Sequence, residues 1–212
     1  MVTNNKLNNL LIYLTLVIFT LTMSIALTIN FPGLLKLNLF FQDNSNFEIW
    51  TKNQVNEDFS NLMSYLNNPF QRKLIFDNLY FSNKGENHFK DVKYLFQLNY
   101  FFLISSSIAL FWQKQKKLLF QGDVKRKSKK IRLFVTAFSI LAVLLFEKAF
   151  IIFHRLFFTN TDWIFNYQTD PIILFLPENF FLFCFLLIIS ISILLLSIIP
   201  NYFSRKEFGE IN

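Results

Sequence analysis

The sequence predicts an all-α integral membrane protein with four transmembrane helices and an extracytoplasmic helical or irregular segment between the first and second. Three observations carry that prediction. The 212-residue chain is 53% hydrophobic, with thirty Phe and a mean hydropathy of +0.35. Its apolar residues gather into four runs, Leu10–Ile29, Tyr94–Gln113, Leu133–Phe153 and Phe180–Ile199. Each run is about twenty residues, the length a helix needs to cross a hydrocarbon core of roughly 30 Å. The net charge of +7 is also uneven: nine of the 21 Lys and Arg residues fall between Lys114 and Arg132.

The first run carries no charge over its twenty residues. That is longer than the roughly 7–15 residues of a signal-peptide core, so the run reads as a span although "SIA" (24–26) loosely fits a cleavage site. The second and fourth runs are also uncharged, and the third holds Glu147 and Lys148 close to its end. The basic stretch 114–132 reads as a cytoplasmic loop that obeys the positive-inside rule, not as a nucleic-acid surface. Four spans then place both termini in the cytoplasm and segments 30–93 and 154–179 outside. The outer segment 30–93 has seven basic and seven acidic residues, with no positive bias. The chain reads as a single membrane domain, 1–212. The lone Cys184, inside the fourth run, excludes an intrachain disulfide and a thiol-rich zinc site.

Within the first outer segment, "DFSNLMSYLNNP" (58–69) places Phe59, Leu62, Met63 and Leu66 at i, i+3, i+4 and i+7. This predicts an amphipathic helix with Asp58 as N-cap and Pro69 as terminator, lying on the outer leaflet or capping the bundle. "LLKLNLFF" (34–41) alternates in part and reads as a short strand or an interfacial segment.

The chain has two histidines, and this topology puts both outside at the membrane edge. His88 precedes the second run and His154 directly follows the third. Asp91, at i+3 from His88, shares its helical face and could hold the ring in one tautomer; equally, Glu86 and Asp91 suit a solvated helix start, where acidic residues are favoured. Asn99 continues that face into the membrane, where an amide needs a partner. Glu147 lies at i−7 from His154, either as a functional intramembrane carboxylate or as an ion-pair partner of Lys148 or Arg155. Phe157, Phe158 and Trp163 have the character of interfacial anchors, and Asn160, Asp162, Asn166 and Asp170 either line a polar pocket or solvate a loop. No GxSxG elbow, P-loop, HEXXH or dinucleotide fingerprint is present, and the chain has only four glycines.

In order and topology the chain resembles the lipoprotein intramolecular transacylases, the Lit family. The resemblance lies in His-x-x-Asp-Val (His88, Asp91, Val92) before the second run and in His…Phe-Phe-x-Asn-x-x-Trp (His154, Phe157, Phe158, Asn160, Trp163) after the third. The chain departs from the family pattern at Gly85, in place of an acidic residue three before the first histidine, and at Asn166, in place of an Asp. The resemblance implies an acyltransferase of the bacterial cell membrane that needs no cofactor or metal. It implies diacylglyceryl-modified lipoproteins as substrates, presented in membrane lipid, and movement of the sn-2 acyl chain to the α-amine of the N-terminal cysteine to give a lyso-form lipoprotein. His88 and His154 are the expected catalytic pair, with His88 the preferred base. Asp91, Glu86, Glu147, Asn99, Asn160 and Trp163 are expected to support or position. Two other readings compete: a metal-dependent membrane hydrolase with His88, Asp91 and His154 as ligands, and a non-enzymatic membrane scaffold.

Overall fold

The structure is a computed structural model that describes residues 2–31, 33–42, 49–116 and 124–209, with side chains described for 10–31, 33–42, 49–116 and 126–201. Among the described residues there are only helices: α1 (Val2–Ile29), α2 (Gly33–Phe41), α3 (Lys52–Asn67), α4 (Asn83–Gln115), α5 (Val124–Leu144), α6 (Phe146–Phe157), α7 (Ile172–Phe175) and α8 (Glu178–Gly209). Three contain stretches long and apolar enough to cross a membrane, within α1, α4 and α8, and a fourth exists if the bent pair α5 and α6 forms one broken span. The chain's contacts group into two compact units. One comprises Met1–Ile29, Asn99–Leu144 and Phe185–Asn212; the other comprises Asn30–Leu98 and Leu145–Cys184.

The first unit is organised on α1. Ile12, Tyr13, Leu16 and Leu196 form its buried cluster, with Leu110, Ile131, Val135 and Ile199 packed on it. Further along α1, Thr20, Ser24 and Thr28 are buried at i, i+4 spacing. Small residues of this kind let helix backbones approach closely in lipid. Each hydroxyl is satisfied within its own helix: Ser24 donates to the Thr20 carbonyl (2.6 Å) and Thr28 to that of Ser24 (2.9 Å). Ser192 of α8 then donates to the Ser24 hydroxyl at 2.9 Å. Asn99 is part of this unit. Its amide donates to the Thr22 carbonyl at 3.2 Å, so the partner that an intramembrane amide requires is the α1 backbone.

The second unit holds both histidines. Its α3 is the predicted amphipathic helix, but it begins two turns earlier than expected. Thr51 is the N-cap and forms a capping box with Gln54. Asp58 is not a cap. It is fully buried in mid-helix, and its carboxylate accepts the backbone N–H groups of Asp77 (2.7 Å), Asn78 (3.1 Å) and Leu79 (2.6 Å). The apolar periodicity is real. Leu62 and Leu66 are buried together with Val55 and Tyr65, and Phe59 meets Phe180 edge-on at 6.2 Å. The segment 34–41 is helix α2, not a strand. Its buried Asn38 and neighbouring Gln42 both donate to the Phe175 carbonyl (2.7 and 3.1 Å), tying α2 to the short α7.

The third apolar run is not one straight helix. It breaks at Leu145 (φ −117, ψ 34), between α5 and α6. No proline or glycine marks the place. The break puts Glu147 and Lys148 in the exposed first turn of α6 and not in the middle of a continuous helix. By contrast α4 is unbroken over 33 residues, roughly 50 Å at 1.5 Å per residue. That exceeds a hydrocarbon core, so its first turns extend beyond the uncharged stretch Tyr94–Gln113.

Candidate active site

His88 lies in the second turn of α4 and His154 in the last turn of α6. Both are buried, at 8% exposure each, and their ring centroids are 6.0 Å apart with planes tilted by 32°. Aromatic rings enclose them. Phe158 and Phe165 meet His88 edge-on at 4.8 and 5.3 Å. Trp163 lies over His154 at 4.6 Å with a tilt of 30°, and Phe150 approaches it at 4.2 Å. Trp163, one of the residues expected to support or position, is therefore packed on a histidine.

The two rings differ in their hydrogen bonding. Nδ1 of His154 is 2.7 Å from the Phe150 carbonyl, one turn earlier in α6. A carbonyl only accepts, so Nδ1 carries the proton in this bond. In the neutral ring that leaves the Nε2 lone pair as the proton acceptor. Nδ1 of His88 is buried and has no partner among the described residues. An unpartnered buried ring nitrogen is costly to leave so, and it is available to a bound group.

Three hydrogen-bonded residue pairs pin the loop after α6 to the start of α4. Asn160 donates to Asp91 at 2.9 Å, Asn87 donates to Asp162 at 3.3 Å, and Ser82 donates to Asp170 through its backbone N–H (2.8 Å) and its hydroxyl (2.9 Å). The partners run antiparallel, so the loop lies back along the first turns of α4. Ser82 also caps the helix: its hydroxyl accepts the Gly85 N–H at 3.1 Å. Asp170 is 2% exposed, and a Cβ on Gly85 would run into its carboxylate. The carboxylate of Asp170 thus occupies the space beside Gly85 that a side chain there would need.

Several expected supporting residues sit elsewhere. Asp91 does not orient His88; it is bonded to Asn160 and makes no hydrogen bond to the ring. Glu86 pairs with Lys90 at 2.9 Å on an outer face of α4. Glu147 is exposed and forms no ion pair with Lys148 or Arg155. Asn99 belongs to the other unit. Sequence reasoning passed over Phe165 and Ser82, and named Asp170 only as lining a polar pocket or solvating a loop. The local signal for Ser82 was a serine three residues before a glycine at a helix start; nothing in the sequence linked it to Asp170, 88 residues away. Among the described residues no three His, Cys, Asp or Glu side chains converge closely enough to hold a metal ion, and Asp91, one of the three ligands that the hydrolase reading requires, faces Asn160.

The arrangement can move protons at one centre, with one ring nitrogen fixed as acceptor and a second ring within reach, among packed aromatic rings. The model of the family described as lipoprotein intramolecular transacylase Lit matches residues 10–181. A solved structure of the membrane integral lipoprotein intramolecular transacylase Lit from Bacillus cereus is similar over 99% of this chain and 100% of its own, with 27% identity and a TM-score of 0.73. Two structures of that protein with a histidine replaced by arginine or by alanine are similar at 26% identity and TM-scores of 0.69, over 98% of this chain and 95% and 96% of theirs. No curated protein matches the sequence.

Proposed function

Because the chain belongs to the lipoprotein intramolecular transacylase family, and is an acyltransferase of lipoproteins in the membrane, we propose that His88 and His154 perform the transfer of one acyl chain from a glyceryl ester oxygen to the α-amine of the lipoprotein's N-terminal cysteine. The amine nitrogen attacks the ester carbonyl carbon and a tetrahedral oxyanion forms. The carbon–oxygen bond to glycerol then breaks. The amine must lose one proton and the glycerol oxygen must gain one, so the reaction is balanced without a co-reactant.

Attacking nitrogen and leaving oxygen are bonded to the same carbon, so the acceptor and donor of that proton must lie close together. A pair of rings with centroids 6.0 Å apart meets that need. The observation that carries the assignment of roles is the bond from His154 Nδ1 to the Phe150 carbonyl. It favours His154 as the base at Nε2, which reverses the preference for His88 drawn from Asp91. His88 then returns the proton to the glycerol oxygen or donates to the oxyanion. Two imidazolium charges at this separation repel, which suits a pair that passes one proton between them. The burial of both rings among aromatic side chains suits a transfer in which water, the competing nucleophile, must be kept from the ester.

The same reading places the histidines and the 154–179 loop on the extracytoplasmic face and the basic stretch 114–132 in the cytoplasm, supported by the charge asymmetry. Mass spectrometry of the N-terminal lipopeptide of a native lipoprotein tests the assignment, in cells carrying His154→Ala or His88→Ala at wild-type protein levels. The lyso form should be lost in both. Its persistence in the His154 variant alone would return the base role to His88.

A further inference from the structure

The first unit contains a pocket that the transacylase chemistry does not use. It is a cavity of about 460 Å³ between α5 and α8, lined by Arg126, Lys129 and Arg132 on one side and by Ser197, Pro200 and Asn201 above the buried Leu196 on the other. That volume lies within the range of small-molecule sites, roughly 300–1,000 Å³. Three cations at i, i+3, i+6 line one cavity, and no carboxylate is among its described lining residues. Arg132 is held in place: its guanidinium donates to the Ser197 hydroxyl at 2.7 Å, and that hydroxyl donates to the Ile193 carbonyl at 2.7 Å. One of five guanidinium N–H groups is spent on that contact, and the fork geometry of the others suits a phosphate. Arg126 stands in the first turn of α5, where the helix dipole adds to the positive potential.

The pocket also has a definite level along the chain. Arg132 immediately precedes the apolar run that begins at Leu133, and Leu196 to Pro200 close the run Phe180–Ile199. Both runs end at the pocket. Cations at the end of two apolar stretches, over an apolar floor, match a molecule with a phosphate at one end and hydrocarbon at the other.

We propose that this pocket binds a phosphate group, carried by the headgroup of an anionic membrane lipid. Positive-inside loops need only a count of cations; here they line one cavity, with one guanidinium fixed by a serine.

The full chain, purified in detergent, would be titrated with phosphatidylglycerol, with phosphatidylcholine and with inorganic phosphate, and read by native mass spectrometry. Wild-type protein should retain phosphatidylglycerol over phosphatidylcholine. The double variant Arg126→Gln/Lys129→Gln should lose that preference by roughly thirty-fold, from two cations each contributing at the scale of one surface Lys or Arg. The charge-keeping variant Arg126→Lys/Lys129→Arg should retain it, which separates charge from folding. Displacement of the lipid by millimolar inorganic phosphate would support the phosphate chemistry with a soluble source as an equal ligand; retention against it would support the lipid. Equal retention of both lipids by the wild type with no phosphate binding, or an unchanged preference in the double Gln variant, would overturn the proposal.

Discussion

The carboxylate of Asp170 accepts both the backbone N–H and the hydroxyl of Ser82, and so joins the end of the 158–170 loop to the N-cap of α4. Six residues further along α4 stands His88. Asp170→Asn should replace a charge-assisted acceptor with a group that presents a donor on one side. Buried hydrogen bonds to charged groups contribute about 1.5–3 kcal/mol, so the thermal midpoint in detergent should fall, and activity should fall with it. Gly85→Ala should do the same by steric means, because its Cβ runs into the Asp170 carboxylate. Over-packing of this kind costs about 1–3 kcal/mol. An unchanged midpoint in both variants would mean that the loop is held by other contacts.

Asp91 and Asn160 should behave as one device. Asp91→Ala and Asn160→Ala both break this bond, so each should reduce lyso-lipoprotein formation, Asn160→Ala somewhat more because its Oδ1 also accepts the Asp162 N–H at 3.0 Å, and the double variant by no more than the more damaging single one. The loss should stay well below that of a missing histidine, because the pair holds a loop and carries no proton. Additive losses measured by lipopeptide mass spectrometry would show independent roles and argue against the hydrogen bond as the source of the effect.

Asp58→Ala should destabilise the second unit strongly. Its carboxylate takes three consecutive backbone N–H groups at the 77–79 turn while fully buried. Removing it strands those donors, at about 1–3 kcal/mol for a buried group left without a partner, so the total should reach at least about 3 kcal/mol. Leu62→Asp, which puts a charge into the same buried face, should match or exceed it. Proteolysis of the purified protein should become faster at segment 68–82 in both. Wild-type resistance in Asp58→Ala would contradict the role given to this carboxylate.

Much of this was written locally in the sequence. The four apolar runs appear as helices, because span length and lack of charge are properties of contiguous residues. The i, i+3, i+4, i+7 pattern at Phe59–Leu66 found Leu62 and Leu66 of the buried face of α3 but not Asp58 or Tyr65, and Phe59 and Met63 are only half-buried. It also gave the wrong start, since the Thr51–Gln54 capping box lies before the apolar pattern begins. The two histidines were conspicuous because the chain has no others. What the sequence did not display was partnership over distance. Spacing placed Asp91 on the face of His88, yet a partner 69 residues away holds it. The break at Leu145 has no proline or glycine signal. Asn99 lies on the histidine helix, but its hydrogen bond to Thr22 belongs to a different unit.

Trp163 gives a sharper test of the base assignment. It lies over His154 at 4.6 Å, so Trp163→Phe should keep most of the activity by preserving an aromatic face. Trp163→Ala should lower the rate by loosening that ring, with a smaller effect on substrate affinity, since misplacing a catalytic group weakens the transition state more than the ground state. Equal losses in Phe and Ala variants would assign Trp163 to substrate contact instead.

The most direct measurement of the central claim is the lipid state of a lipoprotein's N-terminal cysteine in cells expressing His88→Ala, His154→Ala and the double variant, each confirmed to insert and accumulate at the wild-type level. General acid–base groups contribute about 10²–10⁴-fold each, so each single variant should nearly abolish the lyso form. The double variant should be no worse than the more damaging single one, because the two rings serve one proton path. Lyso-lipoprotein at the wild-type level in a well-inserted double variant would contradict the account.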